Sequence, residues 1–290
     1  CIFIEVKLLK LFKMKRILFP TDFSETATNA FVHALEFANS IDGELVLLHA
    51  FDLPVFDSQY FPENYMLIYE SVELSQFEAF KDELPKLHAI AEKRNLSGIK
   101  MTHRLMDGGL TFAIEKAIKE DQIDYIIMGT EGATGWAEVL LGTHTTAVIS
   151  DVSIPVLSIP SKVKFKPIKN IAFTTRFRPK DKTALKNVLE MAKKMKAKIK
   201  CLYVKTDSSD VSKETIKEWE EEFANELVEF HVVLSEDVKG SILDFIMFKE
   251  VDVLSMLTYK RSFFENLFHH SLTKDCAANL DIPILAIPIK

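Results

Sequence analysis

Short, nearly continuous apolar runs alternate along this chain with longer stretches in which apolar residues recur every three or four positions. In the first half, RILFPT is a β-rich run, and Ser24 follows as a candidate helix N-cap. Ala27, Ala30, Phe31, Ala34, Leu35 and Ala38 then share one helical face, and Gly43 is expected to end that helix. ELVLLHAF predicts a second buried strand. A long helix runs through Phe80, Leu84, Leu87 and Ala91, followed by a strand at IKMTHRLM and a helix at LTFAIEKAIKE. DYIIM predicts a fourth strand, then come a glycine-rich loop, a helix to about Ser150 and a last strand, IPVLSI. Apolar strands alternating with helices predict a parallel sheet covered on both faces, and right-handed crossovers make it a doubly wound α/β unit.

The pattern occurs twice. KRILFPTDF at Lys15 superposes on KNIAFTTRF at Lys169, a shift of 154 residues, which also aligns Ala30 with Ala184 and Leu35 with Leu189. Later the shift is 128 residues. DYIIMGT at Asp124 meets DVLSMLT at Asp252, and DVSIPVLSIP meets NLDIPILAIP. The first copy therefore carries an insertion, placed between Leu53 and the mid-70s. The segment from Phe51 to Phe77 holds Phe51, Phe56, Tyr60, Phe61, Tyr65 and Tyr69, so it is expected to pack over a pocket mouth or an interface between the copies. The resulting division is residues 14–161 and 162–290, joined by the linker PSKVKFKP from Pro160 to Pro167. Residues 1–13 are expected to be a leader or a misassigned start before Met14; the alternative is an extra element covering a sheet edge. The strands ending in Pro160 and Pro288 would be sheet edges that need cover, so the copies are expected to form an intramolecular pseudo-dimer through them.

Composition narrows the class. With 290 residues, 48% hydrophobic and 27% charged, the chain is an ordinary globular protein of two domains. A net charge of −6 argues against general nucleic-acid or anionic-lipid binding. Cys1, Cys201 and Cys276 have neither metal nor disulfide spacing, which points to a reducing cytoplasm with Cys201 and Cys276 as core residues. No membrane span is expected. His269 and His270 lack metal-ligand spacing, and Trp136 and Trp219 read as packing anchors. The basic stretch from Lys162 to Lys205 and the acidic one from Asp207 to Asp237 read as solvated helix faces, or else as a docking face for an acidic partner.

Ligands of open α/β sheets sit beyond the carboxyl ends of the strands, at the point where strand order reverses. Two segments of the first copy should meet there: Pro20-Thr21-Asp22-Phe23-Ser24, and the loop from Met128 through Gly129, Gly132, Gly135 and Gly142 to Thr143. Glycines admit close anion approach, and Gly142-Thr143 at a helix start offers free N–H groups and the positive end of the dipole. Plain turn geometry would use the same residues. Neither GxxxxGK[ST] nor GxGxxG is present.

Gly129-x2-Gly132-x9-Gly142-Thr143, with RILFPTDFSETA before it and IPVLSIP after it, resembles the signature of the universal stress protein (UspA-type) family. The likeness covers Met14 to Pro160 and extends more loosely over the second copy, as in a tandem-domain member. It implies two flavodoxin-like (adenine nucleotide alpha hydrolase-like) domains, each a five-stranded parallel sheet with helices on both faces. It also implies an adenine nucleotide, ATP or else AMP or ADP, with Mg2+ or Mn2+ on the phosphates. Asp22 would hold the adenosine end beside Pro20 and Thr21. Ala50 would line the adenine pocket and Met128 would flank it. Gly129, Gly132, Gly142, Thr143, His144 and Thr145 would surround the phosphates.

Glu131 and Ala133 depart from that pattern, since ATP-binding relatives often carry polar or basic residues there, and a carboxylate near a triphosphate costs affinity unless a metal bridges them. In the second copy Leu257, Lys260 and His270 replace the three glycines, Arg176 stands at the place of Asp22, and Ser271 alone survives at the place of Thr143. That copy is expected to hold no nucleotide and to be structural. The reading is a stress-response or signalling protein that binds a nucleotide in its first copy only. The alternative is a nucleotide-free dimerisation scaffold or chaperone-like protein, with a homodimer as a further assembly. An enzyme ranks last, because no base or signature lysine is placed for phosphoryl transfer.

Overall fold

The computed structural model describes residues 14–52, 65–130, 143–258 and 282–289. In chain order these form β1 (Lys15–Pro20), α1 (Glu25–Ile41), β2 (Gly43–Phe51), α2 (Tyr65–Lys93), β3 (Met101–Asp107), α3 (Leu110–Asp121), β4 (Tyr125–Gly129), α4 (Thr143–Asp151) and β5 (Val156–Ile159). The second half gives β6 (Asn170–Thr174), α5 (Pro179–Met195), β7 (Lys198–Lys205), α6 (Lys213–Glu222), β8 (Val228–Leu234), α7 (Val238–Phe248), β9 (Val253–Thr258) and β10 (Ile284–Pro288).

The strands form one ten-stranded sheet in the order β3-β2-β1-β4-β5-β10-β9-β6-β7-β8. Among the described residues each half is parallel throughout, and the antiparallel joint is β5 against β10, where Val156, Leu157 and Ser158 face Ala286, Leu285 and Ile284. Ser158 is fully buried there and its hydroxyl donates to the Ile284 carbonyl. One apolar layer runs across both halves under α1 and α5, and a second runs under α3, α4 and α7. Both layers pass the joint without a break, Leu157 and Leu285 lying in one, Val156 and Ala286 in the other.

The two halves repeat their backbone idiosyncrasies as well as their sequence. Left-handed residues recur at Phe23 and Phe177 (φ 61° and 55°), Asp42 and Lys196 (53° and 55°), and Gln122 and Glu250 (53° and 50°). Asp124 accepts a hydrogen bond from the Arg16 N–H, and Asp252 accepts from that of Asn170. In both halves a carboxylate at the start of the fourth strand ties down the start of the first.

Ser24 caps α1 by accepting from the Ala27 N–H, and the predicted apolar face of that helix is buried. Gly43 does not end α1. Asp42 takes the left-handed turn, and Gly43 opens β2, because a Cβ there would stand 2.7 Å from Ile17 Cδ1 and 2.9 Å from the Lys15 carbonyl oxygen. Since backbone cannot step aside cheaply, Gly43→Ala is expected to destabilise the chain by about 1–3 kcal/mol. Urea denaturation of the variant checks this.

Two segments differ from expectation. The part of the insertion from 66 to 79 is the exposed first half of α2, not a cover: Met66, Leu67, Leu74 and Phe77 lie more than half exposed, and the helix enters the core only at Phe80. A helix can extend past the sheet because its backbone bonds are internal. Phe56, Tyr60 and Phe61 lie outside the described residues. The second is the Pro160–Pro167 linker, which is bound to α1. The Val163 carbonyl accepts from Asn29 Nδ2 at 2.8 Å and approaches His33 Nε2 at 3.2 Å, while Arg94 sits over the Phe165 ring.

Burial of the His33 imidazole pulls its pKa below the ordinary histidine value, with the Val163 carbonyl acting the other way. The folded state thus holds this proton less firmly than the unfolded chain. Its contribution to stability is complete above about pH 6.5 and is lost as pH falls through the lowered value. His103 and His231 shift in the same direction, again chiefly by burial. Melting temperature is expected to fall between about pH 7.5 and 5, and His33→Gln should flatten that fall. Melting curves across the pH series check it.

Candidate functional site

Strand order reverses between β1 and β4. From β1 the chain moves outward to β2 and β3, then crosses back to place β4 on the other side of β1. Ile17 and Leu18 pair there with Tyr125 and Ile126. Pro20, Thr21 and Asp22 leave the carboxyl end of one strand, and Met128 and Gly129 end the other. The reversal of strand order expected from the sequence pattern is therefore present, with these two segments at the carboxyl ends of its strands.

The turn after β1 is held from several sides. The Thr21 N–H donates to the Leu48 carbonyl, and the Thr21 hydroxyl accepts from the Phe23 N–H at 3.0 Å. Phe23 is thereby kept in the left-handed region, which a bulky residue adopts only under constraint. Its ring packs against His49 and Phe80. Asp22 is exposed, and its carboxylate accepts from the Ser24 N–H at 3.1 Å. Ser24, not Asp22, supplies the side-chain cap of α1.

Ala50 lies one residue before the end of β2, and Met128 is buried in the layer under α3 and α4. Thr145 is buried, and its hydroxyl donates to the Gly129 carbonyl at 3.0 Å, tying the first turn of α4 to the end of β4. His144, one position earlier, is exposed. Thr143 opens α4. Gly132 and Gly142, with Glu131 and Ala133, lie outside the described residues. A Cβ on Gly129 would stand 3.0 Å from Thr26 Cγ2 and 3.5 Å from the Thr26 carbonyl oxygen. The absent side chain thus lets the first turn of α1 sit against the end of β4, a packing reason that spacing alone does not reveal.

Sequence reasoning missed His49. It is the penultimate inward position of β2, and its Nδ1–H donates to the Thr21 carbonyl at 2.8 Å. Alternation along ELVLLHAF, which puts Leu45, Leu47 and His49 on one side of the sheet, was the available signal. Among the described residues no group of three or more His, Cys, Asp or Glu side chains could ligate a metal.

In the second half Leu257 fills the place of Gly129 and is buried, and Arg176 is exposed at the place of Asp22. The opposite-signed stretches pair with each other. Lys182 and Lys186 meet Glu222, Lys193 meets Glu226, and Arg178 meets Asp210. These charges join α5 to α6 and to the loops on either side of it. Trp219 is buried against Phe177, as expected of a packing anchor. Cys201 is buried, which pushes its thiol pKa well up, away from a reactive thiolate. Cys276, His269, His270 and Trp136 lie outside the described residues. Among the described residues no helix is long and apolar enough to cross a membrane.

Two five-stranded, doubly wound halves of the flavodoxin-like class, joined in one sheet and each reversing its strand order at the first strand, are what the fold defines. The family model for universal stress proteins matches residues 13–160. The chain belongs to the universal stress protein family. It is 32% identical over 158 residues to universal stress protein MJ0577 of Methanocaldococcus jannaschii, covering 51% of this chain and 96% of that protein. It is 29% identical over 150 residues to universal stress protein MJ0531 of the same organism, covering 52% and 84%. A crystal structure of a universal stress protein from Archaeoglobus fulgidus shares the fold over 96% of this chain and 99% of its own, with a TM-score of 0.69 at 18% identity.

Proposed function

We propose that the chain binds an adenine nucleotide, ATP or AMP, in the crevice between β1 and β4, and acts in stress response or signalling through nucleotide-dependent conformation or partner binding. The observation that carries this reading is the coincidence of the complete Gly129-x2-Gly132-x9-Gly142-Thr143 spacing with the strand-order reversal of the first half. The second half has the same topology and lacks the glycines. In this reading Asp22 holds the adenosine hydroxyls or amine, Ala50 and Met128 border the adenine, and backbone N–H groups from Gly129 to Thr145 hold the phosphates, with Mg2+ or Mn2+ bound to them.

The protein works here as a binding protein and not as an enzyme, in the cytoplasm. In this reading its units are 14–161 and 162–290 and form an intramolecular pseudo-dimer, which the pairing of β5 with β10 supports. Calorimetric titration of the full chain with ATP, ADP and AMP, with and without Mg2+, tests the reading. One nucleotide per chain is expected, and Asp22→Ala should weaken it by about 1–3 kcal/mol, the cost of leaving a buried ligand donor unpaired. Two per chain would refute the single site, and no heat with any nucleotide would favour the nucleotide-free scaffold.

A further inference from the structure

The second half lacks the phosphate loop, yet it contains a cavity of about 490 Å³ at the carboxyl ends of β6, β7 and β9, beside α7. That is the size of a small-molecule site, and such sites combine apolar walls with a few convergent polar groups. Leu202 and Val204 from β7, Met256 from β9 and Ile242 from α7 supply the apolar wall. Two carboxylates and two guanidiniums border it, and three of these four charges already have partners. Arg178 donates to both oxygens of Asp210, at 2.7 and 2.9 Å, and each holds the other's charge. Asp181 is fully buried and accepts from the Thr175 hydroxyl and the Arg176 N–H.

The fourth charge, the guanidinium of Arg176, lies exposed at the mouth; it acts on Asp210 from a distance but has no direct salt bridge among the described residues. Tyr203 lines the same cavity from the other face of the sheet, its ring against Phe177, at 4% exposure, and its buried hydroxyl has no hydrogen-bond partner. An unmet buried hydroxyl is costly, and a ligand acceptor would satisfy it. The equivalent positions in the first half are Asp22 and His49. Relative to that crevice, the second has therefore exchanged a carboxylate for a guanidinium and gained a phenol, while Leu257 has displaced the glycine that would admit a phosphate.

We propose that the second copy is a binding unit in its own right, for a small molecule with an apolar body and a single carboxylate. The body lies on Leu202, Val204, Ile242 and Met256, the carboxylate faces Arg176, and the Tyr203 hydroxyl donates to a polar atom of the ligand. The hydroxyls of Thr206, Ser208 and Ser209, clustered at the rim within 3.2 Å of one another through Thr206, offer further donors. This inference is independent of nucleotide binding in the first copy.

Octanoate is the probe, with octanol and octylammonium as controls of the same length, titrated calorimetrically into the full chain in the presence of ATP. One octanoate per chain is expected, bound at least about tenfold tighter than octanol or octylammonium. Arg176→Glu should weaken octanoate about tenfold or more and leave octanol unchanged, and Tyr203→Phe should weaken octanoate severalfold. Ile242→Trp, which fills the cavity, should abolish binding. Arg176 is exposed, so its variant keeps the test decisive even if the cavity-filling one fails to fold. Asp22→Ala should leave octanoate affinity unchanged. The proposal is overturned if octanol binds as well as octanoate, if Arg176→Glu has no effect, if ATP competes with octanoate, or if no octanoate binds at millimolar concentration.

Discussion

Gly142→Lys and Gly132→Leu are each expected to weaken ATP binding by three orders of magnitude or more while leaving the fold largely intact. A phosphate held by backbone N–H groups needs direct contact with the chain at each glycine, and a side chain there occupies the position of the phosphate itself. A thousandfold loss corresponds to about 4 kcal/mol. The second half is the natural control, because it keeps all five strands with Leu257, Lys260 and His270 at the three glycine positions. Calorimetry measures the loss, and circular dichroism with melting curves establishes that each variant is folded. A variant that is folded and still binds ATP within tenfold of the parent would remove the glycine loop from the site.

Asp181→Ala is expected to be the most damaging single substitution in the second half, costing about 3–5 kcal/mol of unfolding free energy. The carboxylate is fully buried, accepts from the Thr175 hydroxyl at 3.0 Å and from the Arg176 N–H at 2.6 Å, and holds the turn after β6 in shape. The first half solves the same turn differently. The residue equivalent to Asp181 is Ala27, and the Ser24 hydroxyl caps α1 in its place. Asp181→Asn should cost less, since its amide oxygen can still accept from one of these donors. Urea unfolding of both variants decides it, and equal losses for Ala and Asn would show that shape and not hydrogen bonding sets the cost.

Much of the architecture was legible in the residues. Period-two and period-3.6 patterns belong to local backbone geometry, so runs such as RILFPT and the Ala27–Ala38 face announced their elements directly. The repeat multiplied that information, because two independent copies with matching Asp124 and Asp252, or Phe23 and Phe177, report the same turn. Strand-end position plus glycine spacing located the candidate crevice, since the reversal of strand order follows from topology alone.

The sequence by itself thus determined two doubly wound units and which copy carries the glycine spacing, while the strand order β3-β2-β1-β4-β5 came from the structure. Only the tertiary structure decided that Gly43 clears Ile17 and the Lys15 carbonyl, that Gly129 clears Thr26, that His49 anchors the Thr21 carbonyl, and that the first half of α2 stands exposed. It also decided that Lys182, Lys186 and Lys193 of the basic stretch pair with Glu222 and Glu226 of the acidic one and that a cavity lined by Tyr203 opens in the half that lost its glycines. The physical reason is one of range. Periodicity, caps and turn residues act within a few positions along the chain, whereas close approach, charge pairing and cavities depend on side chains brought together from distant elements, where a separation of an ångström changes the sign of the interaction.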